Sequence, residues 1–509
     1  MLPLHAISRR APKGEGDRWL ALVVLCAGML MIILDQTVVN VALPAIQRDL
    51  GFSQSSLAWV VNAYLIAFGG LLLLAGRLGD LLGRKRILIA GLVVFSVASL
   101  LCGLASSQEL LIAARFVQGV GGALASALIL GMIVALFPEP RERARAIGVF
   151  SFVAAAGGSI GLLAGGLLTQ ALNWHWIFFV NLPIGIVAIG LAWRLLEPDR
   201  GLGLRDGADV LGAFLITASL MLGVFTIVSQ AAEYGWAAPR TLAFAAVALV
   251  LLVGFIVRQA THDRPLLPLG TFRSRNVTGA NVIQALMVAG LFSMFFLGSL
   301  YLQRVLRYDA LQIGLAFLPV ALAIGTLSID ISARLTTRFG PRAVLLAGLT
   351  LMLAGLALFT RAPLHANYAT DLLPQMVLLG IGGGLSFPAL MTLAMADATG
   401  DDAGLASGLV STTAQVGGAL GLAVLATVSA GRTERLLADG QELALALIGG
   451  YQLAFGIGVA LLVVAIVLAA TVLQDPARAR VARSDWRSRA AAETPTRHGS
   501  RDRPAPSPN

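Results

Sequence analysis

Charge is what this chain has least of. Only 13% of its 509 residues are Asp, Glu, Lys or Arg while 57% are apolar, whereas a soluble domain carries about 25% charged residues. So little polar material cannot clothe a set of soluble cores, and the mean hydropathy of +0.82 makes lipid the expected solvent. Cysteine is nearly absent: Cys26 and Cys102 are the two, each inside an apolar run, which excludes a disulfide framework and a cysteine metal site. The five histidines, His5, His175, His262, His365 and His498, are scattered through tails and loops. No H-E-x-x-H and no G-x-x-x-x-G-K-S/T occurs, so metalloenzyme chemistry and ATP-driven work have no support. No cofactor and no enzymatic activity are expected. Lysine is confined to Lys13 and Lys85, and arginine supplies most of the +10 formal charge. The arginines sit in short loops and a tail, not on a continuous basic face, which speaks against a nucleic-acid partner.

What is there is a series of apolar runs, each long enough to cross about 30 Å of hydrocarbon as a helix. Breaks at charged residues, Pro and Gly place fourteen spans near 19–41, 56–76, 87–106, 110–137, 145–169, 176–196, 209–230, 241–260, 277–302, 310–331, 342–360, 371–395, 404–430 and 449–473. The basic segment through Arg18 precedes a run too long for a signal-peptide core and lacks a small-residue cleavage site, so it reads as an uncleaved first span. An even number of spans puts both termini on one side. Of the 37 lysines and arginines, Arg48, Arg240, Arg304, Arg307, Arg361, Arg432 and Arg435 fall on the opposite side and Arg115 falls within a span. All the others lie with the termini, which places both termini in the cytoplasm by the positive-inside rule. The 474–509 tail is rich in Arg, Pro, Ser and Ala without periodicity, the composition of a disordered segment drawn to anionic lipid.

The loop after the second span, Gly76-Arg77-Leu78-Gly79-Asp80-Leu81-Leu82-Gly83-Arg84-Lys85, is echoed after the tenth by Ala333-Arg334-Leu335-Thr336-Thr337-Arg338-Phe339-Gly340-Pro341-Arg342. Leu78 matches Leu335, Gly83 matches Gly340 and Lys85 matches Arg342. Duplicated halves with a substrate site near the midplane are a common plan of secondary transporters. In the first copy the glycines permit a tight two-helix turn, Asp80 can face a helix N-terminus, and Arg84 and Lys85 can anchor at headgroups.

At these residues the sequence resembles the major facilitator superfamily, whose loop between the second and third helices reads G-x-L-x-D-x-x-G-R-K/R. Fourteen spans narrow the resemblance to the drug:proton antiporter branch that includes bacterial multidrug efflux proteins. Leu34-Asp35-Gln36-Thr37-Val38-Val39-Asn40-Val41-Ala42-Leu43-Pro44 resembles that branch's first-helix motif. Trp174-His175-Trp176-Ile177-Phe178 with Asn181, Pro183 and Gly185 resembles its sixth-helix entry. Gly404 to Gly421, with Gln415, Gly417 and Gly418, is similar to its penultimate long helix, although Ser411 and Ala414 stand where the branch often has Asn and Arg. In the fifth span the antiporter motif is represented by Gly157, Gly161, Gly165 and Gly166, and both of its prolines are missing.

The resemblance implies an all-α polytopic membrane protein with a major facilitator fold, two pseudo-symmetric six-helix bundles plus two additional linking transmembrane helices. The implied segments are a cytoplasmic tail 1–18, a six-helix bundle 19–196, a linker with two inserted helices 197–270, a second bundle 271–473 and the basic tail 474–509. The implied activity is alternating-access export of amphipathic or cationic drugs, toxins or antibiotics from a bacterium across its inner membrane. A proton gradient would supply the energy, and the chain would work as a monomer. Export of a lipid, siderophore or metabolite, uptake, and a receptor role on the same fold remain open alternatives.

Asp35 lies well inside the first span, where an ionised carboxylate is costly and suited to trading protons; the alternative is a structural partner of Thr37 and Asn40. Arg115 opens Arg115-Phe116-Val117-Gln118-Gly119-Val120-Gly121, similar to the family's R-x-x-Q-G-x-G. Its fixed charge would couple to a nearby carboxylate, unless it snorkels to the interface. Gly76, Asp80, Gly83, Arg84 and Lys85 are the candidate gating loop. Asp330 and Asp397 fall at span ends, where solvated or capping roles are expected. For the substrate cavity the candidates are Gln118, Asn281, Gln284, Thr412, Thr413 and Gln415 as hydrogen-bonding groups, and Tyr64, Met221, Phe292 and Phe295 as apolar lining. Each is equally a candidate for ordinary helix packing.

Overall fold

The computed structural model describes residues 15–53, 56–137, 139–199, 201, 209–263, 265–267, 269–395 and 403–474. Asp397, the first fourteen residues and the tail beyond Gln474 lie outside them, as does the side chain of Asp330. Among the described residues there is no strand. The long helices in chain order are α1 (Glu15–Leu50), α2 (Trp59–Leu82), α3 (Arg84–Gly103), α4 (Gln108–Leu136), α5 (Pro140–Ala171), α6 (Asn181–Leu195), α7 (Val210–Phe225), α8 (Pro239–Thr261), α9 (Arg275–Arg304), α10 (Ala310–Thr326), α11 (Pro341–Phe359), α12 (Leu373–Ala394), α13 (Ala403–Ala438) and α14 (Leu443–Thr471). Among the described residues twelve helices are long and apolar enough to cross a membrane, while Ile160–Ala171 of α5 and α10 are shorter apolar stretches. Between twelve and fourteen crossings follow.

Local chemistry sets the helix ends. Ser107 and Ser274 accept the amides of Leu110 and Val277 at the starts of α4 and α9, and Asp309 forms a reciprocal capping box with Gln312 at the start of α10. Pro140 and Pro341 occupy the first turns of α5 and α11, where the missing N–H costs nothing. Pro44, Pro319 and Pro388 lie inside α1, α10 and α12, as membrane helices tolerate. One-turn π segments extend α7 through Thr226–Ala231 and α10 through Leu327–Ile331.

Without a hydrophobic force between helices in lipid, close contact depends on small residues. A methyl group on Gly121 would stand 2.4 Å from the Phe95 amide, and one on Gly382 would stand 2.6 Å from the Gly348 carbonyl. These contacts join α3 to α4 and α11 to α12, so the two halves use the same device. Gly69 of α2 meets Gln415 of α13, and Gly166 of α5 meets Ala310 at the start of α10; these are seams between the halves. Large apolar side chains such as Val97, Ile186, Trp193 and Val250 stay exposed and form the face expected against acyl chains.

The duplicated loop is duplicated in function as well. Gly83 and Gly340 both have positive φ, 101° and 86°, and each ends one helix and starts the next. Lys85 donates to the carbonyls of Trp193, at 2.7 Å, and Leu196 at the end of α6. Arg342 donates to those of Ala469, at 3.2 Å, and Ala470 at the end of α14. In both halves a cation therefore caps the last helix of its own bundle.

Helices α7 and α8 form a hairpin that packs on α2 and, through the π turn, on α13. Asp209 begins it: its buried carboxylate accepts Gly212 N at 2.8 Å, Gln259 Nε2 at 2.7 Å and Arg258 Nε. Burial alone would raise its pKa, but these donors prevail and hold the carboxyl below its ordinary range. That stabilisation is present above the ordinary carboxylate range and is lost as pH falls through the depressed value. Asp209→Asn should therefore lower the thermal midpoint of the purified protein at pH 7, with the gap to wild type closing towards pH 3. Gly121→Ala should cost about 1–3 kcal/mol through forced separation of α3 and α4, while Gly456→Ala, where nothing stands within 4 Å, should leave the midpoint unchanged.

Candidate functional site

Three charged side chains are buried among the described residues: Asp35, Arg115 and Asp209. Asp35 and Arg115 meet at the centre of the first half. Arg115 Nη1 donates to Asp35 Oδ2 at 2.5 Å and to Gln118 Oε1 at 2.6 Å, while its Nε donates to the Val60 carbonyl at 2.9 Å. The other carboxylate oxygen, Asp35 Oδ1, accepts Gln118 Nε2 at 2.7 Å and Asn181 Nδ2 at 3.0 Å. Ser99 Oγ accepts from both of those amides, at 2.7 and 3.3 Å. The guanidinium lies 4.4 Å from the centre of the Tyr64 ring, a favourable face for a cation. Asp35 and Gln118 are 0% exposed and Arg115 is 1% exposed.

Five helices supply this cluster: α1 gives Asp35, α2 the Val60 carbonyl and Tyr64, α3 Ser99, α4 Arg115 with Gln118, and α6 Asn181. Arg115 and Gln118 share a face because they lie three residues apart on one helix. Arg115 does not snorkel. Nor are Thr37 and Asn40 partners of Asp35: Thr37 Oγ1 donates to the Ile33 carbonyl at 3.0 Å, and Asn40 Nδ2 to the Gln36 carbonyl at 3.1 Å. Asn181 entered the sequence reading only as part of a resemblance, and Ser99 did not enter it. A buried Asn one turn into a span was the signal for the first; a serine within an apolar helix gives none.

Next to Asp35 in the chain, Gln36 faces a different way. With Met29, Ile32 and Ile33 it forms one stripe of α1, and that stripe lines a cavity of about 220 Å³. The opposite wall is Gln284 of α9 with Val410, Ser411, Ala414 and Gln415 of α13; Phe68 and Ser126 complete the lining. The cavity thus lies between the halves. Gln36 Nε2 donates to the Tyr64 hydroxyl at 3.3 Å, which links the cavity wall to the aromatic ring beneath Arg115. Among the other candidate lining residues, Asn281 pairs with Thr413 Oγ1 at 2.8 Å, binding α9 to α13. Phe292 packs beside Gly418, the Phe295 ring meets Phe317 at a 47° tilt and Thr412 packs near Gly69. Met221 is a half-buried residue of the inserted hairpin.

The candidate gating loop is held by a residue the sequence did not single out. Asp199 accepts the Arg84 and Lys85 amides at 2.7 and 3.2 Å, capping the N-terminus of α3. Asp80 pairs with Arg84 at 3.1 Å. Gly76 is open, with nothing within 4 Å of an added methyl. The glycine helix α5 seats α1 closely: methyl groups on Gly157, Gly161 and Gly165 would press on Leu30, Thr37 and Val38, while Gly166 faces α10. The missing prolines leave α5 continuous from Pro140 to Ala171.

Comparison with known proteins gives the family and the fold. The Major Facilitator Superfamily model matches residues 25–422. The chain is 40% identical over 474 residues to the puromycin resistance protein pur8 of Streptomyces alboniger, covering 92% of this chain and 93% of that one. It is 38% identical over 462 residues to the cephamycin export protein CmcT of Amycolatopsis lactamdurans, covering 90% and 93%. It is 32% identical over 426 residues to a tetracenomycin C resistance and export protein of Streptomyces glaucescens, covering 84% and 78%. Among solved structures, a bacterial homolog of the human lysosomal transporter Spinster, inward-facing and unoccupied, superposes with a TM-score of 0.64 at 17% identity, covering 90% of this chain and 98% of that one. That last likeness concerns the fold alone.

Removing one member of a buried ion pair leaves the other uncompensated, at about 3–5 kcal/mol. Arg115→Gln should lower the thermal midpoint in detergent strongly, and the double variant Asp35→Asn/Arg115→Gln should recover part of the loss. Additive losses would show that the two groups are not coupled.

Proposed function

Because the chain belongs to the Major Facilitator Superfamily, we propose that it is a proton-coupled exporter of small amphipathic antibiotics, drugs or toxins, working by alternating access in the bacterial inner membrane. Its antibiotic resistance and export relatives support the substrate class, and the asymmetry of basic residues supports cytoplasmic termini. The observation that carries the proton coupling is the buried Asp35–Arg115 pair.

Ionised, Asp35 neutralises Arg115 and gathers donors from α4 and α6. Protonated, it turns one acceptor oxygen into a donor and leaves the guanidinium without its counter-charge. Asn181 suits both states: its Nδ2 serves the carboxylate, and its Oδ1 has no partner, so a half-turn of the amide offers an acceptor to the protonated form. The change in contacts among α1, α2, α3, α4 and α6 is the differential energy by which a proton biases one conformation over another. Gln36 and Tyr64 carry that change to the cavity wall. The gating loop, through Lys85 and Asp199, keeps α3 and α6 moving as one body. The chain acts as a monomer in this scheme, with the tail against anionic lipid.

Inside-out vesicles carrying the protein, given puromycin, should release protons as substrate enters. A protonophore should abolish uptake, and Asp35→Asn should reduce both fluxes to the level of empty vesicles. Undiminished coupled flux in Asp35→Asn would reject the assignment of the carrier.

A further inference from the structure

The cavity between the halves is lined, among the described residues, by no charged side chain. Asp35 adjoins a lining residue in sequence, yet its carboxylate turns away into the cluster with Arg115, Gln118 and Asn181. The polar equipment of the cavity is instead three primary amides, Gln36, Gln284 and Gln415, with the hydroxyls of Ser126 and Ser411. Much of that equipment is unused. Gln415 Oε1 has no partner, and Gln36 spends one amide hydrogen on a 3.3 Å contact with Tyr64. The amide of Gln284, 4% exposed, stands between α9 and the α13 wall.

We propose that this cavity selects uncharged, hydrogen-bonding substrates, of the kind that carry amide, hydroxyl or carbonyl groups on an apolar body, over permanent cations. The inference rests on the export reading given above. A cation brought here loses its water and finds no carboxylate to replace it, an expensive transfer. The Phe68 ring in the wall offers only the weak attraction of an aromatic face, and the Tyr64 ring behind it is already covered by Arg115. A neutral amide loses less water and meets donors and acceptors in both senses, since each glutamine offers two of each. The apolar stripe of Met29, Ile32 and Ile33 with Phe68 takes the rest of the body. Gln284 and Gln415 thereby become specificity-determining residues, one on each of two facing helices of the second half, and Gln36 the contact that senses occupancy on the first.

The test compares an uncharged panel, chloramphenicol and thiamphenicol, with a permanently cationic panel, ethidium and tetraphenylphosphonium. Proton-gradient-dependent extrusion is followed in a pump-deficient host, and binding to the purified protein is followed by thermal shift. Wild type should extrude and bind the uncharged compounds and ignore the cations. Gln284→Glu should raise cation extrusion and binding about tenfold or more while lowering those of the uncharged panel. Gln284→Leu should weaken the uncharged panel without admitting cations; the thermal midpoint of each ligand-free variant establishes that it is folded. Cations handled as well as uncharged compounds by wild type, or no gain of cations in folded Gln284→Glu, would overturn the inference and leave the export reading intact. Proton-dependent extrusion of neither panel would overturn this inference, while the vesicle assay with puromycin decides the export reading separately.

Discussion

One ion pair buried from solvent organises the first half of this protein. A carboxylate and a guanidinium at 0% and 1% exposure are tolerable only together and only when their remaining hydrogen-bonding capacity is met. Meeting it takes Gln118 beside Arg115, Asn181 from α6, Ser99 from α3 and the Val60 carbonyl from α2. The helices that carry those groups must approach closely, and they do so through Gly119 against the Tyr64 carbonyl and Gly121 against Phe95. The polar centre thus dictates where small residues must stand. The second half, whose described helices bury no charge, uses glycine for the same closeness without a charged centre.

This asymmetry divides labour within a symmetric frame. Both bundles turn on a glycine of positive φ and clamp their last helix with a basic side chain, Lys85 in one and Arg342 in the other. The first bundle adds a buried ion pair, and the second adds two amides facing the cavity. Gln36 sits at the join, one residue from Asp35 and on the cavity wall, so a single turn of α1 touches both the buried ion pair and the cavity.

Span positions and the two intramembrane charges were legible in the sequence because each is an outlier of composition: long apolar runs, and rare ions inside them. The role of Asn181 was half visible and that of Ser99 invisible, since polar residues of that size are ordinary in membrane helices. Cavity residues were harder still. Of the six proposed as hydrogen-bonding lining, Gln284 and Gln415 line the cavity, while Asn281 and Thr413 satisfy one another. Which side of a helix faces a cavity depends on its rotation about its own axis. In α9, 78% buried over its most apolar stretch, apolar residues surround every side, so no contrast between faces records that rotation. Asp199 escaped for a different reason: it acts across 115 residues of chain, a distance over which local pattern says nothing.

The inserted hairpin touches both sides of one seam. Thr217 of α7 lies against Gly70 of α2, and Thr427 of α13 donates to the Ile227 carbonyl in the turn beyond α7. Rocking of one bundle against the other draws those two rims apart, and a gap there would let acyl chains reach the glutamines of the cavity. With α8, the least buried of the candidate spans at 17%, turned outward, the pair hangs across the gap as a curtain. Lipid would then meet the exposed leucines and valines of its outer face, with the polar cavity behind it.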